Sequence, residues 1–143
     1  SKNGDKYFYK NQIFNQAITT HASLLNACAA FILYGGWAVV ANFEHGKKAG
    51  LTAGAVQGVY AFVSTLTVTL VALNIYRRCH GGGFGLAAGF SVSFLVMLII
   101  PWVVHSVAGT PNKLQTILPG LIWGSIYLGI VLALQAKNTA KKL

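Results

Sequence analysis

Four long runs of apolar residues, separated by short polar stretches, dominate the pattern of the chain. Each run lacks Asp, Glu, Lys and Arg and is longer than the ~20 mostly apolar residues that a helix needs to cross the hydrocarbon core of a bilayer. The pattern predicts an all-α integral membrane four-helix bundle. Its four transmembrane spans are predicted at residues 22–43, 51–76, 84–105 and 114–136.

The first 21 residues precede these spans and have a different pattern. Aromatic side chains such as Tyr7, Phe8 and Tyr9 stand beside Lys6 and Lys10. Aromatic and basic residues together are typical of the headgroup zone of a membrane. We therefore expect residues 1–21 to form an interfacial segment that leads into a transmembrane domain, residues 22–143, and we do not expect a cleavable signal peptide.

The basic residues predict the orientation of the spans. Of the 11 Lys and Arg residues, eight flank the beginning of the first span, the connection between the second and third, or the end of the fourth. Basic residues are concentrated in cytoplasmic segments. Both termini are therefore expected in the cytoplasm, and a bacterial inner membrane is the expected location. The formal net charge of +9 is explained by topology and by anionic lipid headgroups, and no nucleic-acid partner is expected.

Glycines recur at four-residue intervals in three places. Residues four apart share one face of a helix, and glycine on that face lets helices approach closely in lipid. These residues are predicted to mediate helix packing: Gly46, Gly50, Gly54, Gly58, Gly85, Gly89, Gly120 and Gly124. The packing could occur within one chain or between copies, and we favour a homo-oligomer. The similarity of Lys48–Tyr60 to Lys113–Tyr127 also suggests two repeated helical hairpins.

One short motif is similar to part of an enzyme. The stretch CHGGGFG at residues 79–85 matches the oxyanion-hole loop of some lipases and esterases. Such enzymes also need a G-x-S-x-G nucleophile elbow and a carboxylate that orients a histidine, but the chain lacks the elbow and holds only Asp5 and Glu44 as carboxylates. We therefore expect no enzymatic activity, and no spacing in the sequence indicates a metal or another cofactor.

Polar residues inside a span are candidates for function, because an unpartnered polar group is costly in hydrocarbon. The second span carries a hydroxyl stripe that we interpret as a polar path for a headgroup: Ser64, Thr65, Thr67 and Thr69, with Gln57 as a further member. The alternative is that these hydroxyls bond to their own helix backbone. All four histidines fall at span ends, where we expect wetted boundary positions.

Asn74 lies near the end of the second span, and Arg77 and Arg78 follow directly after it. A guanidinium group can bind phosphate oxygens in a bidentate way, so these residues form the predicted lipid-phosphate site. The alternative is a plain topological anchor. Asn followed by a double arginine after the second of four spans resembles the GtrA family. That resemblance implies a small membrane protein that moves polyprenyl-phosphate-linked sugars or assists the glycosyltransferases that use them.

Three hypotheses for function follow. The first is a non-enzymatic membrane protein that handles or translocates a lipid or lipid-linked substrate, with membrane lipids as partners. The second is an accessory or assembly subunit that docks against a larger membrane protein through its glycine faces. The third is an oligomeric channel lined by the hydroxyl stripe. The absence of Asp, Glu, Lys and Arg from the spans argues against proton-coupled pumps.

Overall fold

A computed structural model describes the backbone of residues 2–141 and the side chains of residues 21–141. The four α-helices are α1 (Lys2–Asn42), α2 (Lys47–Arg78), α3 (Gly82–Val107) and α4 (Lys113–Ala140), and a 3-10 turn, Phe43–His45, lies between α1 and α2. No strand occurs in residues 2–141, so the predicted all-α four-helix fold is confirmed. The interfacial position predicted for the N-terminal segment rests on side chains outside the described residues.

Each helix contains a segment that is long and apolar enough to cross a membrane. These segments are His21–His45, Lys47–Arg78, Gly82–Val107 and Lys113–Ala140. A helix satisfies its backbone hydrogen bonds internally, which a segment in hydrocarbon requires. The chain is therefore an integral membrane protein.

Short turns join the helices, so that neighbours in the sequence run antiparallel. The turn between α2 and α3 contains His80, Gly81 and Gly82, whose φ angles are 61°, 69° and 63°. Two of these three residues are glycines, which adopt positive φ without the steric penalty of a Cβ atom. The three-glycine motif thus forms the end of the α2–α3 turn and the first two residues of α3.

The bundle has two ends, which we name by their characteristic residues. The arginine end holds the last turns of α2 and α4 and the first turn of α3, with Arg77, Arg78 and Lys137. The asparagine end holds the end of α1 and the beginning of α4, with Asn42 and Asn112.

Glycines bring α2 into close contact with α1. A Cβ atom on Gly54 would lie 3.0 Å from the carbonyl oxygen of Gly35 and would overlap Cγ2 of Val39. A Cβ atom on Gly58 would lie 3.0 Å from the ring of Phe31, and one on Gly50 would lie 3.1 Å from the carbonyl oxygen of Val39. In this row, therefore, backbone approaches backbone within one chain.

Gly46 differs from the rest of the row predicted by spacing. It lies in the turn before α2 with a φ of 103°, and a Cβ atom there would meet nothing within 4 Å. Gly46 therefore serves the turn and takes no part in helix packing. The reason is that α2 begins one residue later, at Lys47.

The inward face of α3 repeats every fourth residue. Its buried residues are Gly85, Gly89, Ser93, Met97, Pro101 and His105. A Cβ atom on Gly85 would lie 2.9 Å from the carbonyl oxygen of Tyr76, and one on Gly89 would lie 2.9 Å from that of Ala72. These two glycines therefore pack α3 against the last turns of α2, next to a core of Ala72, Tyr76, Met97, Leu128 and Leu132.

Candidate ligand cleft

A cleft of about 450 Å³ opens between α1, α2 and α4 in the middle of the bundle. Its floor is buried and includes Gln57, Ala61 and Leu128, whereas its rim is exposed and includes Leu33 and Trp123. Along α2 the lining runs from Gln57 to Thr69, a length of about 18 Å at the helical rise. The cleft therefore lies within the membrane-spanning part of the helices and is open at its exposed rim.

The predicted hydroxyl stripe contributes to this cleft, with one exception. Ser64, Thr65 and Thr69 line it together with Gln57. Thr67 does not line it; this residue is exposed, and its hydroxyl donates to the carbonyl oxygen of Val63 at 2.9 Å. Successive helical residues point about 100° apart, so Thr67, two positions from both Thr65 and Thr69, faces away from both.

Aromatic side chains frame the rest of the cleft. Tyr34 comes from α1, Tyr60 from α2, and Trp123 and Tyr127 from α4. The hydroxyl of Tyr60 donates to the carbonyl oxygen of Met97 at 3.5 Å. That oxygen needs a donor from outside its helix, because Pro101, four residues later, has no backbone N–H. None of the described residues that line the cleft is Asp, Glu, Lys or Arg.

A hydrogen-bonded triad lies behind the floor of the cleft. Nε2 of His105 is 2.7 Å from Oε1 of Gln57, and Nδ1 of His105 is 2.8 Å from the hydroxyl oxygen of Thr110. His105 has no exposed surface, so the wetted boundary position expected for it is wrong. The burial depends on a partner 48 residues away in the chain, which no local pattern in the sequence reveals.

A second polar network joins α1 to α4 at the asparagine end. The side-chain amide of Asn42 donates to the hydroxyl oxygen of Thr116 at 2.7 Å and to the carbonyl oxygen of Ala38 at 2.9 Å. Its oxygen accepts the backbone N–H of Asn112 at 2.9 Å. The amide of Asn112 in turn donates to the carbonyl oxygen of Ala41 at 2.6 Å. These contacts fix the end of α1 against the beginning of α4.

Trp37 adds another bond between the same two helices. Its Nε1–H donates to the carbonyl oxygen of Gln115 at 2.8 Å. Gln115 stands four residues before Pro119, which cannot supply the usual helical N–H. A proline on one helix thus leaves a carbonyl oxygen free to accept from an aromatic side chain on another helix. The same relation holds between Pro101 on α3 and Tyr60 on α2.

The structure brings together only part of the predicted phosphate site. Nε of Arg78 donates to Oδ1 of Asn74 at 3.3 Å, and both side chains are exposed at the arginine end. Nε of Arg77 instead donates to the carbonyl oxygen of Leu73 at 3.3 Å. Asn74 and Arg78 therefore share a face of α2, and Arg77 lies about 100° around the helix from Arg78.

The glycine pair on α4 faces the cleft. Gly120 and Gly124 both line it, and a Cβ atom on Gly120 would lie 3.6 Å from Nε2 of Gln57. A Cβ atom on Gly124 would lie 3.1 Å from Sδ of Met97. Within residues 21–141, no three His, Cys, Asp or Glu side chains come together as a metal site would require.

No protein-family model, curated protein or solved structure matches this chain. The resemblance to the GtrA family, which rests on Asn74, Arg77, Arg78 and the four-span layout, therefore stays a prediction.

Proposed function

We propose that this integral membrane protein binds and moves a lipid or lipid-linked molecule without altering it chemically. The observation that carries the proposal is the cleft between α1 and α4. It is membrane-embedded, open at an exposed rim, and lined by apolar and aromatic side chains with a few hydroxyl and amide groups. Ligand sites for largely apolar molecules have this composition. Charged groups, which would be costly to desolvate beside an acyl or isoprenoid chain, are absent from its described lining residues.

A phosphate-bearing headgroup would lie at the arginine end. Arg78 and Asn74 offer a guanidinium group and an amide on one exposed face of α2. Arg78 follows the end of the cleft at Thr69 by about 14 Å along the same helix, a distance that a lipid chain spans. With the basic residues at that end facing the cytoplasm, the headgroup would be collected from the inner leaflet of a bacterial inner membrane.

The experiment compares three proteins in one lipid-binding measurement. Native mass spectrometry from gentle detergent would count bound phosphatidic acid and phosphatidylcholine on the wild type, on Arg77→Ala/Arg78→Ala, and on Lys137→Ala/Lys141→Ala. The last variant removes the same charge from the same end but leaves α2 intact. We expect the double-arginine variant to lose at least tenfold in phosphatidic acid binding, because charge-assisted bonds to phosphate are lost.

The lysine control should bind phosphatidic acid like the wild type. An equal loss in both variants would show that Arg77 and Arg78 contribute only general positive charge. Unchanged binding in the arginine variant would refute the phosphate site. Arg78→Lys sharpens the result further, since lysine keeps the charge but loses the planar, bidentate fork.

The two alternative functions gain no comparable observation. Docking of a partner through the glycine faces is left with Gly120 and Gly124, because Gly54, Gly58, Gly85 and Gly89 contact neighbouring helices of the same chain. A pore lined by the hydroxyl stripe gains no support from the cleft, because Thr67 points away from it.

A further inference from the structure

Gln57 presents an unused polar group to the cleft. The residue is 1% exposed and lies in the cleft floor, and its single hydrogen bond to the described residues is the one from His105 to Oε1. Its nitrogen, Nε2, faces Gly120, where the lack of a side chain leaves space in front of it. No described residue accepts from Nε2, so the N–H groups of this amide are open to an acceptor from outside the chain.

The hydrogen-bond chain behind Gln57 determines which end of its amide faces the ligand. Oε1 of Gln57 accepts from Nε2 of His105, so the imidazole carries its proton on Nε2. Nδ1 pairs with the hydroxyl of Thr110 at the other side of the ring. In this arrangement His105 uses one lone pair of the Gln57 oxygen, and both amide hydrogens remain available to the cleft.

The surroundings of the amide define the chemistry of its partner. The lining holds no Lys, Arg, Asp or Glu among the described residues, and the nearby walls are aromatic: Tyr34, Tyr60 and Trp123. A charged ligand group would be poorly solvated here. A hydroxyl group would also accept from the amide, but it brings a donor of its own that needs a further acceptor in this largely apolar site. An uncharged carbonyl oxygen, which only accepts, matches the two free donors.

We propose that Gln57 recognises the carbonyl oxygen of an uncharged, largely apolar molecule held in the cleft, a molecule of the quinone or ketone class. The inference rests on the cleft being a ligand site, as proposed above, and not on the headgroup contact at Arg78. His105 and Thr110 act as positioning residues, because they hold the amide of Gln57 in the orientation that presents its hydrogens.

The test uses Trp123, which lines the cleft, as a reporter. Decyl-1,4-benzoquinone quenches tryptophan fluorescence, so it would be titrated into the purified protein at a fixed detergent concentration, with Trp123→Phe showing the quenching that arises from Trp37 and Trp102. Decylbenzene, which has the same tail and no carbonyl group, would serve as a competitor. Gly120→Ala places a methyl group 3.6 Å from Nε2 of Gln57, an ordinary contact distance, and covers the amide without touching His105.

We expect saturable quenching in the wild type and about tenfold weaker binding in Gly120→Ala, the loss that corresponds to one hydrogen bond. Gly129→Ala, a matched change on α4 outside the cleft lining, should leave binding unchanged. Decylbenzene should displace the quinone only at about tenfold higher concentration, for the same reason.

Two results would overturn the proposal. If Gly120→Ala binds like the wild type and decylbenzene competes as well as the quinone, the cleft is a plain apolar site and the lipid proposal stands alone. If no saturable quenching occurs while phosphatidic acid still binds through Arg78, the carbonyl site is again refuted. Conversely, carbonyl-dependent quenching without any effect of Arg77→Ala/Arg78→Ala on lipid binding would refute the headgroup contact and leave the Gln57 site intact.

Discussion

The glycine pairs on α2 and α4 have the same spacing and opposite surroundings. Gly54 and Gly58 are covered by α1, where the carbonyl oxygen of Gly35 and the ring of Phe31 leave no room for a Cβ atom. Gly120 and Gly124 line the cleft; a Cβ atom on Gly120 would meet only ordinary contacts, and one on Gly124 would meet the flexible side chain of Met97 at 3.1 Å. Small residues at four-residue spacing therefore create a face that can be approached closely, and the opposing residues decide whether a helix or a ligand approaches it.

The opposing residues differ in size and polarity. α1 presents Gly35 to Gly54, so two backbones meet. Gly120 instead faces the amide of Gln57 and the ring of Tyr34. Aromatic side chains of α1 and α4 line the cleft that separates the two helices, whereas Asn42, Thr116 and Trp37 bond them together at the asparagine end.

The largest expected effect comes from adding a methyl group to one glycine of each pair and comparing the two variants. Gly54→Ala places a Cβ atom onto Val39 and 3.0 Å from a backbone oxygen, neither of which can move freely. Overpacking of this kind lowers the free energy of unfolding by about 1–3 kcal/mol. Gly120→Ala should stay within about 0.5 kcal/mol of the wild type, as most substitutions without strain do. Thermal unfolding of both variants in the same detergent measures the difference, and equal losses would contradict the contrast.

The next effect concerns the bonds that close the asparagine end. Asn42→Leu removes a buried amide that makes bonds to Ala38, Thr116 and Asn112. At about 0.6 kcal/mol for each hydrogen bond in a membrane, we expect a loss of about 2 kcal/mol in unfolding free energy. Asn26→Leu makes the same change at an exposed position on the cleft rim and is the control. A control variant as unstable as Asn42→Leu would show that the network does not join α1 to α4.

A smaller effect tests whether Pro119 creates the acceptor that Trp37 uses. Trp37→Phe should cost about 1 kcal/mol in the wild type, because the carbonyl oxygen of Gln115 then has no donor. In a Pro119→Ala background the helix supplies an N–H to that oxygen, and the same Trp37→Phe change should cost little. A double-mutant cycle on unfolding free energies measures this coupling. If Trp37→Phe costs the same unfolding free energy in both backgrounds, the bond of Trp37 does not depend on Pro119.

An effect of the same size as that of Trp37→Phe has the opposite sign. The hydroxyl oxygen of Ser93 is buried on α3 and has no hydrogen-bond partner among the described residues. Ser93→Ala removes this unsatisfied group and should raise the free energy of unfolding by about 1 kcal/mol. Ser106→Ala, at an exposed position where the hydroxyl donates to the carbonyl oxygen of Trp102 at 2.7 Å, should give no gain. A lower melting temperature for Ser93→Ala than for the wild type would contradict this assignment.

The apolar pattern was sufficient to predict the helices, because runs of this length without charge have few other structures open to them. It could not separate Thr67 from Thr65 and Thr69 until the orientation of α2 was known. The burial of His105 depends on Gln57 from another helix. Asn42 and Asn112 are of a residue type that is common in turns, and the hydrogen bond between them joins residues 70 positions apart. Pro101 and Pro119 are local signals that a carbonyl oxygen four residues earlier lacks its helical donor. The sequence does not show which side chain on another helix donates to that oxygen instead.

The most direct test of the account asks whether the cleft holds a lipid-like molecule. Native mass spectrometry would count molecules retained by the wild type, by Gly120→Leu, whose side chain fills the cleft, and by Gly36→Leu. The last places the same side chain where a Cβ atom meets nothing within 4 Å. We expect one retained lipid-like molecule on the wild type and on Gly36→Leu, and none on Gly120→Leu. Equal retention by all three proteins would contradict a ligand site between α1 and α4.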